Sequence, residues 1–150
     1  EDARTGIPHM ATMLGVSQAE VADTVARLEK QRIIIKYPAL INWELIETEQ
    51  VEALIEGRIT PMRDRGFDAV AEHIYRFDEV SSVFLMSGGY DLMVMLKART
   101  LKQLALFVAE KLSTIDGVMS TATHFVLKKY KTDGVIIDET DEDGRLKVSP

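Results

Sequence analysis

The 150-residue sequence contains no cysteine, so it can form neither a disulfide nor a thiolate metal site, which fits a reducing cytoplasm. Long apolar runs are missing as well. Hydrophobic residues make up 46 %, enough for a core, yet no stretch reaches the ~20 consecutive apolar residues that span a bilayer. Nothing at the start has the basic-then-apolar layout of a secretory signal. An excess of positive charge is also absent: the net charge of −6 argues against a general nucleic-acid coat. That average hides a division. Residues 1–36 carry five basic and five acidic side chains, whereas the stretch from Asp133 onward has six acids against two bases. Finally, the histidines at 9, 73 and 124 lack metal-ligand spacing, and there is no Walker A loop, nucleophile elbow or Gly-x-Gly-x-x-Gly. His9 and His73 read as solvated, His124 as a packing residue. No catalytic residue, metal or cofactor is expected.

What is present begins with two short amphipathic segments. Ile7, Met10, Ala11 and Leu14 share one helical face, and Gly15 ends that run. Ser17-Gln18-Ala19-Glu20 is a capping box that opens a second helix with Val21, Val25 and Leu28 as its buried stripe. Two helices joined around a glycine are either a helix-turn-helix or a plain αα-hairpin. A helix-turn-helix needs a third helix to bury its core, and nothing before Ile7 supplies one, so a first helix is expected to be missing. The β-branched triplet Ile33-Ile34-Ile35 predicts a strand with Pro38 at its exit. Residues 37–50, with the only tryptophan at 43, read as a linker between modules.

The second module spans residues 51–132. Val51, Ala53, Ile55, Gly57 and Ile59 alternate with polar residues, a period-2 strand. Phe67, Val70, Ala71 and Ile74 have helical spacing. Two β-rich runs, Val80–Leu85 and Leu92–Ala98, flank a glycine pair. Thr100 with Gln103 forms another capping box, followed by the stripe Leu101, Leu104, Ala105, Val108 and Leu112. Asp116-Gly117 turns the chain into a last strand, Val118 to Leu127, with Thr121 and Thr123 on one face. The order β-α-β-β-α-β is the ferredoxin-like split motif, an α+β fold with helices on one sheet face only. The open face calls for a cover, and a second copy of the chain is the cheapest one. Residues 133–150 read as an acidic tail, either solvated or an inter-subunit contact docked through Leu146 and Val148.

The segment from Met86 to Met93 carries the most chemistry. Gly88-Gly89 either merely turns the chain or leaves main-chain amides open to a ligand. Tyr90 and Asp91 follow directly, so a backbone cradle beside a phenol and an acid would suit a small zwitterion. Met86, Met93 and Met95 read first as core filler, with an adaptable wall for an aliphatic effector as the alternative.

Taken together, Leu14-Gly15-Val16-Ser17, Arg27-Leu28-Glu29, Ile33-Ile34, Gly89-Tyr90-Asp91-Leu92, Gly117-Val118, Thr121-Ala122-Thr123 and Val126-Leu127-Lys128 resemble the Lrp/AsnC (feast/famine) family of bacterial and archaeal regulators. The resemblance, which begins at Asp2-Ala3-Arg4, runs along nearly the whole chain. It implies a cytoplasmic regulator that binds DNA through a winged helix-turn-helix at residues 1–36 and a small effector, often an amino acid, through the second module. It further implies dimers and multiples of the dimer, such as an octamer built as a tetramer of dimers, with no membrane partner. Carried over, the effector site would comprise Gly88, Gly89, Tyr90, Asp91, Leu92, Thr121 and Thr123. DNA contact would fall to Ser17, Gln18, Arg27, Lys30, Arg32 and Lys36.

Two departures stand out. Family members usually carry basic residues in mid-helix, where this chain has Ala22, Asp23 and Thr24, and a helix-ending glycine where it has Arg32. An acid among the exposed positions Gln18, Ala19, Ala22, Asp23, Ala26, Arg27 and Lys30 opposes phosphate contact. One alternative is therefore an amino-acid sensor of the same fold that does not bind DNA; the resemblance, which extends to relatives with enzymatic activity, adds a decarboxylase-type enzyme of the same architecture.

Overall fold

The computed structural model describes residues 3–46, 50–61, 63 and 66–137. The acidic run at 138–143, Leu146, Val148 and Asp2 lie outside them. The chain divides into two compact units, Glu1–Ile41 and Asn42–Pro150, so the boundary falls inside the stretch expected to be a linker.

The first unit holds two helices. α1 (Ile7–Leu14) starts with Pro8, whose missing N–H costs nothing in a first turn, and stops at Gly15 with φ of 69°. α2 (Gln18–Lys30) is capped by the Ser17 hydroxyl, which accepts from the Glu20 N–H at 3.2 Å. That is one half of the expected box; among the described residues Glu20 makes no return bond to the cap. The helices pack through Ala11 and Val21, with Val25 and Leu28 half-buried.

The strand expected at Ile33-Ile34-Ile35 is not formed, and no wing occurs among the described residues of this unit. β-Branched side chains favour a strand only where a neighbour completes the ladder, and this unit supplies none. Ile33 and Ile35 remain exposed. The segment folds back instead, with the Tyr37 hydroxyl donating to Glu29 Oε1 at 3.0 Å.

The second unit has the expected order: β1 (Val51–Ile59), α3 (Asp68–Tyr75), β2 (Val80–Leu85), β3 (Leu92–Ala98), α4 (Leu101–Glu110) and β4 (Val118–Phe125). The strands form one antiparallel sheet in the order β2-β3-β1-β4. On its covered face Ala53, Ile55 and Ile59 meet Leu92, Val94 and Leu96, and the helices add Val70, Ile74, Leu104, Phe107 and Val108. The reading of α4 needs correction. Leu101 and Ala105 are exposed, while Phe107 takes the inward place and meets Phe77 edge-on at 5.2 Å. The α4 cap is doubly made: Thr100 Oγ1 accepts from the Gln103 N–H, and Gln103 Oε1 accepts from the Arg99 N–H.

The uncovered face carries Leu54, Met93, Met95 and Phe84, so these two methionines are not core filler. Buried Glu52 lies here too, held by Lys129 at 2.6 Å and Lys97 at 3.2 Å. Burial alone would push its carboxyl up; the two ammonium groups outweigh that and hold it below the ordinary range. His124 faces the same side and pairs with Glu56 at 3.4 Å.

After β4 the chain makes a small hairpin, β5 (Lys131–Thr132) with β6 (Val135–Ile136). Its two central residues, Asp133 and Gly134, have φ of 48° and 84°, the type I′ pattern for which Asp-Gly is a strong signal. The expected tail from 133 therefore begins as a structured turn, tied down where Asn42 Nδ2 donates to the Ile137 carbonyl at 3.2 Å.

Candidate functional site

Six residues, 86–91, connect β2 to β3, and three hydrogen bonds anchor them. The Met86 N–H donates to the Asp91 carbonyl (2.8 Å), and the Asp91 N–H donates to the Gly57 carbonyl (3.0 Å). Asp91 Oδ2 accepts from the Ile59 N–H (2.8 Å). That last bond serves the point where β1 has run past its pairing with β3 and shifts register against β4. Asp91 is thus a structural acceptor, a role the sequence did not suggest. Within the loop only Gly88 takes a φ that disfavours side chains, +149°. A Cβ at Gly88 or Gly89 would meet nothing within 4 Å, so both open to solvent. No hydrogen bond among the described residues uses the N–H groups of Ser87, Gly88, Gly89 or Tyr90. The Tyr90 hydroxyl lies 3.9 Å from the Met93 sulfur.

Gly57 links this loop to β4. It pairs with Leu92 on one side and Thr121 on the other, which brings three elements to one level at the sheet end. Sequence reasoning counted Gly57 as one more apolar alternation, although a glycine inside a strand signals close backbone approach. Thr121 lies on the helix-bearing face, its hydroxyl 3.3 Å from that of Ser113, a second residue missed because nothing local points to it. Thr123 is one step further along the same face, opposite Ile55. Leu92 is 1 % exposed, so its side chain belongs to the core. The end of the loop and Thr121 therefore share one level of the sheet with Gly57 between them, while Thr123 lies further along β4 and the Leu92 side chain is turned into the core.

In the first unit, Ser17, Gln18, Arg27, Lys30, Arg32 and Lys36 are all exposed. The Ser17 hydroxyl is engaged in capping, whereas no side-chain partner among the described residues holds Arg27, Lys30, Arg32 or Lys36. Asp23 is exposed on the same helix, one turn before Arg27, as the sequence implied. Arg32 has φ of 57°, the conformation that a helix-ending glycine adopts without strain.

Elsewhere, a cavity of about 510 Å³ lies at the far end of β3, lined by Leu96, Arg99, Leu104 and Phe107 among others. Another, of about 370 Å³, lies against α3 and is lined by His73, Phe77, Lys111 and Asp116. Neither includes a residue of the hairpin loop. Among the described residues no group of three His, Asp or Glu side chains is placed to hold a metal, and no helix is long and apolar enough to cross a membrane.

Comparison with known proteins fits this layout. Residues 52–136 match the Lrp/AsnC ligand binding domain family. The chain is 48 % identical to the uncharacterized HTH-type transcriptional regulator YugG of Bacillus subtilis over 151 residues, covering 100 % of the chain and 91 % of the relative. It is 33 % identical to the HTH-type transcriptional regulator LrpA of Pyrococcus horikoshii, covering 87 % and 90 %. Among solved structures, Escherichia coli AsnC superposes with a TM-score of 0.70 at 22 % identity, covering 89 % and 87 %. A transcriptional regulator of Neisseria meningitidis in complex with L-Met gives 0.66 at 22 % identity, covering 90 % and 87 %.

Proposed function

The chain belongs to the Lrp/AsnC family of transcriptional regulators, and on that premise we propose that it binds DNA through the α1–α2 pair and responds to an amino acid held at the 86–91 loop. The observation that carries the effector site is the run of four unengaged N–H groups, Ser87 to Tyr90, in a loop whose glycines leave the approach open. Such amides suit a carboxylate. The ammonium group of the same ligand would take the Asp91 lone pairs not used by Ile59, and the Thr121 hydroxyl, across β1 on β4, with the Ser113 hydroxyl beside it would supply further polar contact. The L-Met complex of the Neisseria structural neighbour supports an amino acid as the class of ligand.

On the DNA side, Gln18 would read a base edge while Arg27, Lys30 and Lys36 hold phosphates. A second copy covering the Leu54–Met93–Met95 face would give the dimer from which larger assemblies are built. The relatives are named as regulators, which favours this reading over an enzyme. Asp23 favours a second reading, a sensor that assembles and binds effector without DNA.

A thermal-shift screen of the twenty amino acids on the intact chain tests the effector site, because a ligand selective for the folded state raises its melting point. At least one should do so, and Gly89→Val should abolish the shift. A shift unaltered by Gly89→Val would place the ligand elsewhere. Retardation of a duplex in a gel separates the regulator from the sensor.

A further inference from the structure

We propose that Arg32 is a phosphate-contacting residue for DNA, held at the end of α2 against its own backbone preference. This inference rests on the reading of α1–α2 as the DNA-binding pair. The helix ends in a Schellman motif: the Ile33 N–H donates to the Leu28 carbonyl and the Arg32 N–H to the Glu29 carbonyl, both at 2.9 Å. That hydrogen-bond pattern forces the penultimate residue into the left-handed region, and Arg32 accordingly has φ of 57°. Glycine takes this conformation freely, and asparagine tolerates it; an arginine there is strained. α1 also ends on a left-handed residue, and there it is Gly15, with the Gly15 and Val16 N–H groups both donating to the Ala11 carbonyl. Strain of this kind is retained where the side chain does something that the relaxed residue cannot do.

The surroundings indicate what that is. Arg32 is exposed and has no side-chain partner among the described residues, so no internal ion pair accounts for it. Arg27, Lys30 and Lys36 are likewise exposed and unpaired, and all four cations lie within ten positions. A guanidinium offers paired donors in a fixed fork that fits a phosphate. With Asp23 reducing the positive potential of mid-helix, this cluster is where the unit can meet a polyanion.

The test compares the intact chain with Arg32→Gly, Arg32→Lys and Arg27→Ala, measuring the melting point and the salt dependence of binding to a mixed-sequence duplex. Arg32→Gly should melt roughly 2–4 °C higher, because the strain is released, and should lose about 0.9 from the slope of log affinity against log salt. Arg32→Lys should keep both the strain and the slope. A higher melting point with an unchanged slope, while Arg27→Ala lowers the slope, would overturn the role of Arg32 and leave the DNA reading standing. No rise in melting point would remove the strain premise. If the parent chain shows no salt-dependent binding, the DNA reading fails, and this inference with it.

Discussion

Asp91 Oδ2 accepts a hydrogen bond from the Ile59 N–H at 2.8 Å, joining the end of the β2–β3 loop to a strand 32 positions earlier. The bond replaces a ladder bond that β3 no longer provides at that level, so one carboxylate both fixes the loop and seals the exposed end of β1.

The first prediction separates those roles from ligand binding. Asp91→Ala leaves the Ile59 N–H without its acceptor and should cost about 1–3 kcal/mol of stability. Asp91→Asn keeps an oxygen in place and should stay near the parent in denaturant titrations, yet weaken binding of an amino acid by removing the charge. An Asn variant that binds as tightly as the parent would confine Asp91 to its structural part.

Glycine substitutions should rank by backbone conformation and space. Gly117→Ala should be the most damaging, since φ is +95° and the new Cβ would lie 3.1 Å from Val70 Cγ2 and 3.3 Å from the Thr60 carbonyl. A loss of about 2 kcal/mol or more is expected from the strained backbone and crowding together. Gly88→Ala should cost about 1 kcal/mol through φ alone, and Gly89→Ala close to nothing. Thermal melts of the three variants check the order; equal melting points at 88 and 89 would contradict it.

Assembly should depend on the uncovered sheet face. Leu54→Glu or Met95→Glu places a charge among half-buried apolar side chains and should shift the chain from dimer to monomer in sedimentation equilibrium, with the fold retained. A parent chain that is already monomeric at micromolar concentration would remove the premise.

The pH dependence follows from Glu52. Its folded carboxyl is held low by Lys129 and Lys97 once burial has been outweighed, so it stabilises the fold fully above the ordinary carboxylate value of about 4.3. That contribution is lost as pH falls through the lower, folded-state value. Glu79, lowered by Lys111, acts in the same direction. Melting points taken from pH 6 downward should therefore fall less steeply for Glu52→Gln than for the parent. Parallel curves would show that the lysine pair contributes nothing.

Much of the fold was legible because local pattern and tertiary role agreed. The runs Val80–Leu85 and Leu92–Ala98 are strands at those limits, and Gly15, Ser17 and Thr100 punctuate helices as their chemistry requires. Readings failed where a partner decides the outcome. Ile33 to Ile35 have strand propensity but no neighbouring strand among the described residues. Phe107 displaces Leu101 and Ala105 from the core because Phe77 comes to meet it. Asp133-Gly134 carries a turn signal, but the acidic composition after it resembles a tail and masks that signal. At the loop, the residue types were legible, but the bond from Asp91 to Ile59 and the row Leu92–Gly57–Thr121 join positions too far apart for any local pattern to carry.

β1 has a history as well as a place. It lies inside the sheet, yet it is the first of the sheet's four strands to be synthesised, and its partners come much later: Val51 pairs with Ala98, and Ala53 with Phe125. The β2–β3 hairpin can close locally and early, whereas β1 must wait for two long loops to close, the slow step for pairings of high contact order. Until residue 125 leaves the ribosome, Ala53, Ile55 and Ile59 have no complete core to enter. Cell growth temperature and translation rate should therefore affect the yield of folded chain more than the local quality of any helix, because the strand that unites the sheet is exposed longest.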